Sequence, residues 1–253
     1  MKKIFLLLVV VGMLTTACNT GGGEDNNTPP NEQQSDGNNN GNNEDNNEDS
    51  NEDSNEDNLS SIECARNEII YKTKYGYPVT LYKETGFGGI LVSNTYENGI
   101  GRLIFDADIT DIPYSSFKDC TSIIEIKFPD SVTSIGESAF EGCTSLTSIT
   151  IPDSVTSIGI SAFYNCTSLK SIAIPNKVTK IGQWAFSGCS SLTSVYCKPT
   201  TPPTAVLIYS SEWNAFYNKA SMFKIYVPRN SVGAYKTARY WSDYADYIVG
   251  YGF

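Results

Sequence analysis

The chain of 253 residues predicts a β-rich, α+β solenoid, in which short strands and short helical turns stack copy upon copy between two capping segments. Three observations carry that expectation. Cys120, Cys143, Cys166 and Cys189 recur 23 residues apart. Apolar residues keep the same beat: Phe117, Phe140, Phe163 and Phe186 just before the cysteines, then Ile123, Leu146, Leu169 and Leu192, then Ile126, Ile149, Ile172 and Val195. Pro129, Pro152 and Pro175 interrupt three copies at one place, and Ile-Gly pairs at 135, 158 and 181 lead into the next. No copy can bury its apolar face alone, so the copies must stack.

The elements follow in chain order. Residues 1–17 combine Lys2 and Lys3 with a short apolar run and small residues ahead of Cys18. That run is about half of the roughly 20 residues a bilayer span needs, which makes it a secretory signal peptide. Residues 18–58 form a tether: positions 19 to 58 hold 12 acidic residues, 14 Asn and no Lys or Arg. With almost nothing apolar to bury, such a tract stays solvated and self-repelling. Its Glu-Asp pairs lack the glycine and ligand spacing of a calcium loop.

Residues 59–108 read as an N-terminal β cap, with strands at Glu68 to Tyr71 and Val79 to Tyr82 and a hairpin from Ile90 to Phe105 turning at Asn98-Gly99. Gly86-Phe87-Gly88-Gly89 lacks the lysine of a phosphate loop and reads as a connection. Residues 109–201 hold four repeats. Within one, Leu146-x-x-Ile149-x-Ile151 has the rhythm of a leucine-rich repeat, and the strand ends at a proline that cannot donate to the ladder. Val155-x-x-Ile158-Gly159 reads as a second short strand, and Ser161-Ala162-Phe163 as a helical turn. Residues 202–253 read as a C-terminal cap. Ser231 is its helix N-cap candidate, with Val232, Tyr235 and Ala238 on one face, and Trp241, Tyr244, Tyr247, Tyr251 and Phe253 are expected mostly to plug the last repeat.

The pattern Ala-Phe-x-x-Cys-x-Ser-Leu-x-x-Ile-x-Ile-Pro-x-x-Val-x-x-Ile-Gly resembles the repeats of BspA-like leucine-rich-repeat surface proteins. Residues 109 to 201 carry the resemblance, with looser matches at Asn94 to Gly99 and at Ile225 to Lys236. It implies a secreted or surface-exposed bacterial protein that binds host proteins or other cells, and no reaction. Leu14-Thr15-Thr16-Ala17-Cys18 separately resembles a bacterial lipobox, which implies Cys18 as the acylated residue of a lipid-anchored protein of the outer membrane or cell surface. Asp130-Ser131-Val132 and Asp153-Ser154-Val155 resemble a bacterial O-glycosylation acceptor, and a turn after proline explains them equally well.

Chemistry is constrained from the outset because the chain has no histidine. That removes the commonest general base and the commonest metal ligand, and no motif arranges Glu125, Glu137, Glu141 or Asp153 as a catalytic pair. The reading is therefore not an enzyme, with no cofactor and no metal. Nucleic acid is excluded as a partner because the net charge of −10 divides into +2 in the signal, −12 in the tether and zero beyond residue 58. The four repeating cysteines are expected as buried thiols in a straight column, whose parallel Cα–Cβ directions suit neither a disulfide nor tetrahedral zinc. Cys64 and Cys197 lie off the column, and their pairing stays open.

The candidate binding face is the outward side of the repeat strand: Glu125, Ser148, Ser171 and Ser194 in one column, Lys127, Thr150, Ala173 and Tyr196 in the next. A protein partner is expected there. The alternatives are a glycan held on exposed Tyr or Trp rings, and an envelope component without a dedicated ligand. The membrane is a partner through the lipid anchor only.

Overall fold

The computed structural model describes residues 59–208 and 211–253. Cys18, the signal peptide and the acidic tract expected over residues 1–58 lie outside the described residues. The first strands are β1 (Glu68–Thr73), β2 (Leu91–Glu97) and β3 (Ile100–Phe105), antiparallel in the order β2-β3-β1. Asn98 and Gly99 both take positive φ, 51° and 80°, so a two-residue turn joins β2 to β3. The repeats supply β4 (Asp111–Ile112), β5 (Ile123–Lys127), β6 (Ser134–Ile135), β7 (Ser148–Thr150), β8 (Ser157–Ile158), β9 (Ser171–Ile174), β10 (Lys180–Gly182) and β11 (Ser194–Cys197). Then follow β12 (Thr204–Val206), β13 (Lys224–Pro228), the short helix α1 (Val232–Thr237) and β14 (Ile248–Tyr251).

These strands form two parallel stacks. One runs β4-β6-β8-β10-β12; the other holds β5 beside β7 and, after a break in the ladder, β9-β11-β13-β14. Register through the repeats pairs residues 23 apart, as in Glu125 with Ser148 and Ser134 with Ser157. Strand β1 joins antiparallel to β5 and so shields the first parallel edge.

The segments expected as helical turns do turn, with the Tyr164 amide donating to the Ser161 carbonyl and that of Cys166 to Phe163, and they also form a third ladder between repeats. Phe117, Phe140, Phe163 and Phe186 donate their amides to the carbonyls of Ala139, Ala162, Ala185 and Ala215 in the following repeat, at 2.7 or 2.8 Å. Ser115, Ser138, Ser161, Trp184 and Asn214 hold φ between 45° and 58° at the head of each segment. The backbone thus does not continue as helix, and its amides are satisfied alternately within the turn and between repeats.

Like residues then lie on like. The rings of Phe117, Phe140, Phe163, Phe186 and Phe216 stack with centroids 5.1 to 5.5 Å apart and planes within 7°. Tyr244 closes this column edge-on, 5.4 Å from Phe216. Each such pair adds about 0.5–1.5 kcal/mol beyond its burial. Phe216 marks a repeat beyond the expected four: β12 pairs with β10, β13 with β11, and the Trp213–Tyr217 segment with Trp184–Gly188. It comes 30 residues after Phe186 rather than 23, and the added length hides the period.

Two local expectations change. Val79 to Tyr82 is not a strand. Val79 and Leu81 do point inward, but their segment's polar groups bond to the Tyr71 hydroxyl, the Asn94 amide and the Cys120 thiol rather than to a ladder. Ser231 precedes α1 as its cap residue, yet its hydroxyl makes no capping bond. Among the final aromatics Trp241 and Tyr244 are buried and Tyr247 is half-buried, whereas Tyr251 and Phe253 are 44% and 57% exposed.

The Ile-Gly pairs have a steric cause. A Cβ on Gly159 would lie 2.5 Å from the Gly136 carbonyl carbon, and one on Gly136 would lie 2.7 Å from the Tyr114 amide nitrogen. Since the obstacle is backbone, it cannot rotate aside. Gly159→Ala is expected to lower unfolding free energy by about 1–3 kcal/mol in urea denaturation; an unchanged midpoint would show that the repeats can spread apart.

Candidate functional site on the outer strand face

Alternation along β5, β7, β9, β11 and β13 turns one set of side chains into the core and the other outward. The outward columns read Glu125, Ser148, Ser171, Ser194, Lys224 and Lys127, Thr150, Ala173, Tyr196, Tyr226. Ser148, Thr150, Ser171 and Ala173 are exposed, and Ser194 and Tyr196 half-buried. Glu125 and Lys127 do not belong to an open face. The Lys72 ammonium lies 4.0 Å from the Glu125 carboxylate, and Lys127 donates to the Ile62 carbonyl. Burial lifts the Glu125 carboxyl above the usual range, and Lys72 draws it back in part.

Beyond Tyr196 the face becomes aromatic. Tyr196 and Tyr226 stack at 4.9 Å and 15°, and Tyr251 meets both edge-on at 5.7 Å. Phe253 packs edge-on against Tyr251 at 5.1 Å. Tyr196 and Tyr226 each spend one ring face on the other, so the cluster offers edges, hydroxyls and the Tyr196 face that steps down to Ala173. Beside it opens a concavity of about 410 Å³ with Lys198, Arg229 and Asn176 on its walls. Of this cluster only Tyr196 lies on the 23-residue period. Tyr226 was legible in principle, because Ile225-Tyr226-Val227-Pro228 repeats the alternation of Ile149-Thr150-Ile151-Pro152. Tyr251 was not, since its strand follows a helix rather than a repeat motif.

The cysteines of the column, Cys120, Cys143, Cys166 and Cys189, are buried, and none of the four is in a disulfide. Each thiol has a specific task that packing alone does not predict. Cys143, Cys166 and Cys189 donate to the carbonyls of Phe117, Phe140 and Phe163 in the preceding repeat, and Cys120 to that of Thr80, all at 3.1 Å. Burial pushes the Cys143 and Cys166 thiols well up, and the Cys64 and Cys197 thiols, also free, up to about 12. Cys64, Cys143, Cys166 and Cys197 are therefore not thiolate nucleophiles near neutral pH. Among the described residues, no group of three His, Cys, Asp or Glu could hold a metal ion, and no helix is long and apolar enough to cross a membrane.

The stacked parallel strands define a leucine-rich-repeat fold, rich in sheet and poor in helix. The chain belongs to the BspA type leucine rich repeat family, whose model matches six copies over residues 110–238, half of the chain. Such bacterial leucine-rich-repeat proteins are generally protein-interaction modules. A leucine rich repeat protein of T. pallidum is 24% identical, with a TM-score of 0.43 over 64% of this chain and 72% of that one. A leucine rich cell surface protein of Faecalibacterium prausnitzii is 31% identical, with a TM-score of 0.36 over 45% of this chain and 34% of that one. A leucine-rich repeat protein of Bacteroides ovatus is 22% identical, with a TM-score of 0.32 over 59% and 54%. No curated protein matches the chain.

Two measurements check this geometry. A thiol reagent at pH 8 should leave the five buried cysteines unmodified in the folded protein and label all of them in denaturant; a shortfall under non-reducing denaturation would reveal a disulfide. For Glu125 the folded-state pKa lies above the ordinary 4.5, so its ionisation opposes folding and stability falls as pH rises through the raised value. Glu125→Gln should flatten that part of the stability profile and leave neutral-pH stability equal or higher; a clear loss at neutral pH would make the Lys72 attraction dominant.

Proposed function

We propose that this is a lipid-anchored protein of the bacterial outer membrane or cell surface whose repeat domain binds a protein partner, in adhesion to host tissue or to other bacterial cells. The observation that carries this reading is the Tyr196, Tyr226 and Tyr251 cluster at one end of a small, polar strand face. Tyrosine and arginine are enriched where interfaces concentrate their binding energy, and Lys198 and Arg229 border the cluster. The proposed partner contributes an apolar side chain over Ala173 and an acidic group toward those cations. The lipobox-like stretch ending at Cys18 and the acidic tract support anchoring at a distance from the membrane. The antiparallel strands before the repeats and the aromatic segment after them act as caps of the solenoid in this reading.

A glycan ligand on the strand face is less well supported, because the stack takes one face of both Tyr196 and Tyr226. Tyr251 contributes to the cluster while staying exposed, so its truncation separates binding from folding. In surface plasmon resonance of the full chain against a panel of host matrix, plasma and bacterial envelope proteins, Tyr251→Ala should weaken a detected interaction about tenfold or more without changing Tm. Unchanged affinity for every partner would refute the strand-face assignment, and full protection of the domain from protease on intact cells would refute surface exposure.

A further inference from the structure

A second and larger concavity, about 590 Å³, lies on the turn face, away from the tyrosine cluster. Tyr164, Trp184, Tyr217, Glu141, Glu212 and Asn214 line it together with two serines. Trp184 is its anomaly. It holds φ of 58° at a position where the other repeats place Ser115, Ser138, Ser161 and Asn214. Serine and asparagine suit that left-handed conformation, whereas a bulky indole there is strained. The backbone ladder is the same here as in the other repeats: the Trp184 amide donates to the Trp213 carbonyl just as that of Ser161 donates to Gln183. Trp213 and Trp241, by contrast, are buried and donate their indole N–H groups to the Ile181 and Pro203 carbonyls.

The surroundings of Trp184 differ from the same face further back. At the groove's far edge Glu141 faces it and pairs with Lys118 at 2.9 Å; the equivalent positions on either side of Trp184 carry Tyr164 and the 66% exposed Tyr217. Among the described residues that line it there is no Lys or Arg, and the nearby Lys118 is paired with Glu141, so the groove does not suit phosphate, sulfate or carboxylate ligands. The Glu212 carboxylate accepts from the Asn214 amide at 2.8 Å, which sets acceptor and donor side by side. An ammonium ligand would use only acceptors. Hydroxyls, amide and carboxylates together match a ligand that both gives and takes hydrogen bonds and presents C–H faces to aromatic rings.

We propose that this groove binds a neutral saccharide, with a pyranose ring against Trp184 between Tyr164 and Tyr217, and its hydroxyls bonded to Glu141, Glu212 and Asn214. The volume falls within the few hundred to about a thousand Å³ of ligand pockets. The site shares no residue with the strand-face cluster and does not depend on the function proposed there.

Trp184 is the one tryptophan that is not buried, so intrinsic fluorescence reports on this groove. Maltohexaose, cellohexaose, mannohexaose and chitohexaose are titrated into the full chain, and at least one should shift the emission and reduce acrylamide quenching. Calorimetry with that sugar should show at least tenfold weaker binding for both Trp184→Ser and Tyr217→Ala, and no change for Tyr251→Ala. Trp184→Ser should keep or raise Tm, because it installs the residue that neighbouring repeats use at the same φ. The proposal is overturned if no sugar binds at millimolar concentration, or if a trimethyllysine peptide gives the response and the sugars do not. It is equally overturned if Trp184→Ser lowers Tm while sugar affinity persists, which would make the indole a packing residue.

Discussion

Backbone hydrogen bonding between neighbouring repeats is the constraint on which the rest of this structure depends. Strand spacing is about 4.8 Å, so the side chain at each inward position must fit directly against its equivalent in the next repeat. Flat rings satisfy that condition by stacking, which is why Phe117 through Phe216 form one column. Glycine satisfies it where two backbones approach too closely for a Cβ. Cysteine satisfies it in a way that alanine would not, because its thiol reaches the phenylalanine carbonyl of the repeat before it.

Freedom remains only where side chains face away from the stack. On the strand face most of these positions are small, and the aromatic cluster appears only near the C-terminal end, where β13 and β14 extend the sheet. On the turn face the opening positions are serines until Trp184 breaks the series. Both departures from the repeat lie toward the same end of the stack, on different faces. The regular repeats thus serve as the scaffold, and individuality is concentrated in the last of them.

Most of the inward architecture was legible in the sequence, because stacking demands the same residue at the same position and so prints a period. Leu146, Ile149, Ile151 and Val155 are buried where that period puts them. Ser-Ala-Phe is legible as a turn, but nothing local reveals that Phe163 also donates to Ala185 in the next repeat. The added repeat at Trp213 to Pro228 escaped because extra residues displaced it from the beat. Glu125 and Lys127 were assigned to an open face because pattern alone cannot show the chain from Leu59 to Ile62 lying near them.

By itself the sequence determined the repeat, its buried residues, the absence of histidine chemistry and the neutrality of everything beyond residue 58. These are properties of composition and period, and they hold whatever the chain folds against. Only the tertiary structure decided which outward residues become neighbours. Tyr196, Tyr226 and Tyr251 are separated by 30 and 25 residues, and Tyr164, Trp184 and Tyr217 by 20 and 33. Such pairs do not follow one period, because insertions and the closing helix change how much chain intervenes between stacked positions. Their contact depends on how the last repeats pair, and that pairing is a consequence of the ladders rather than of any local motif.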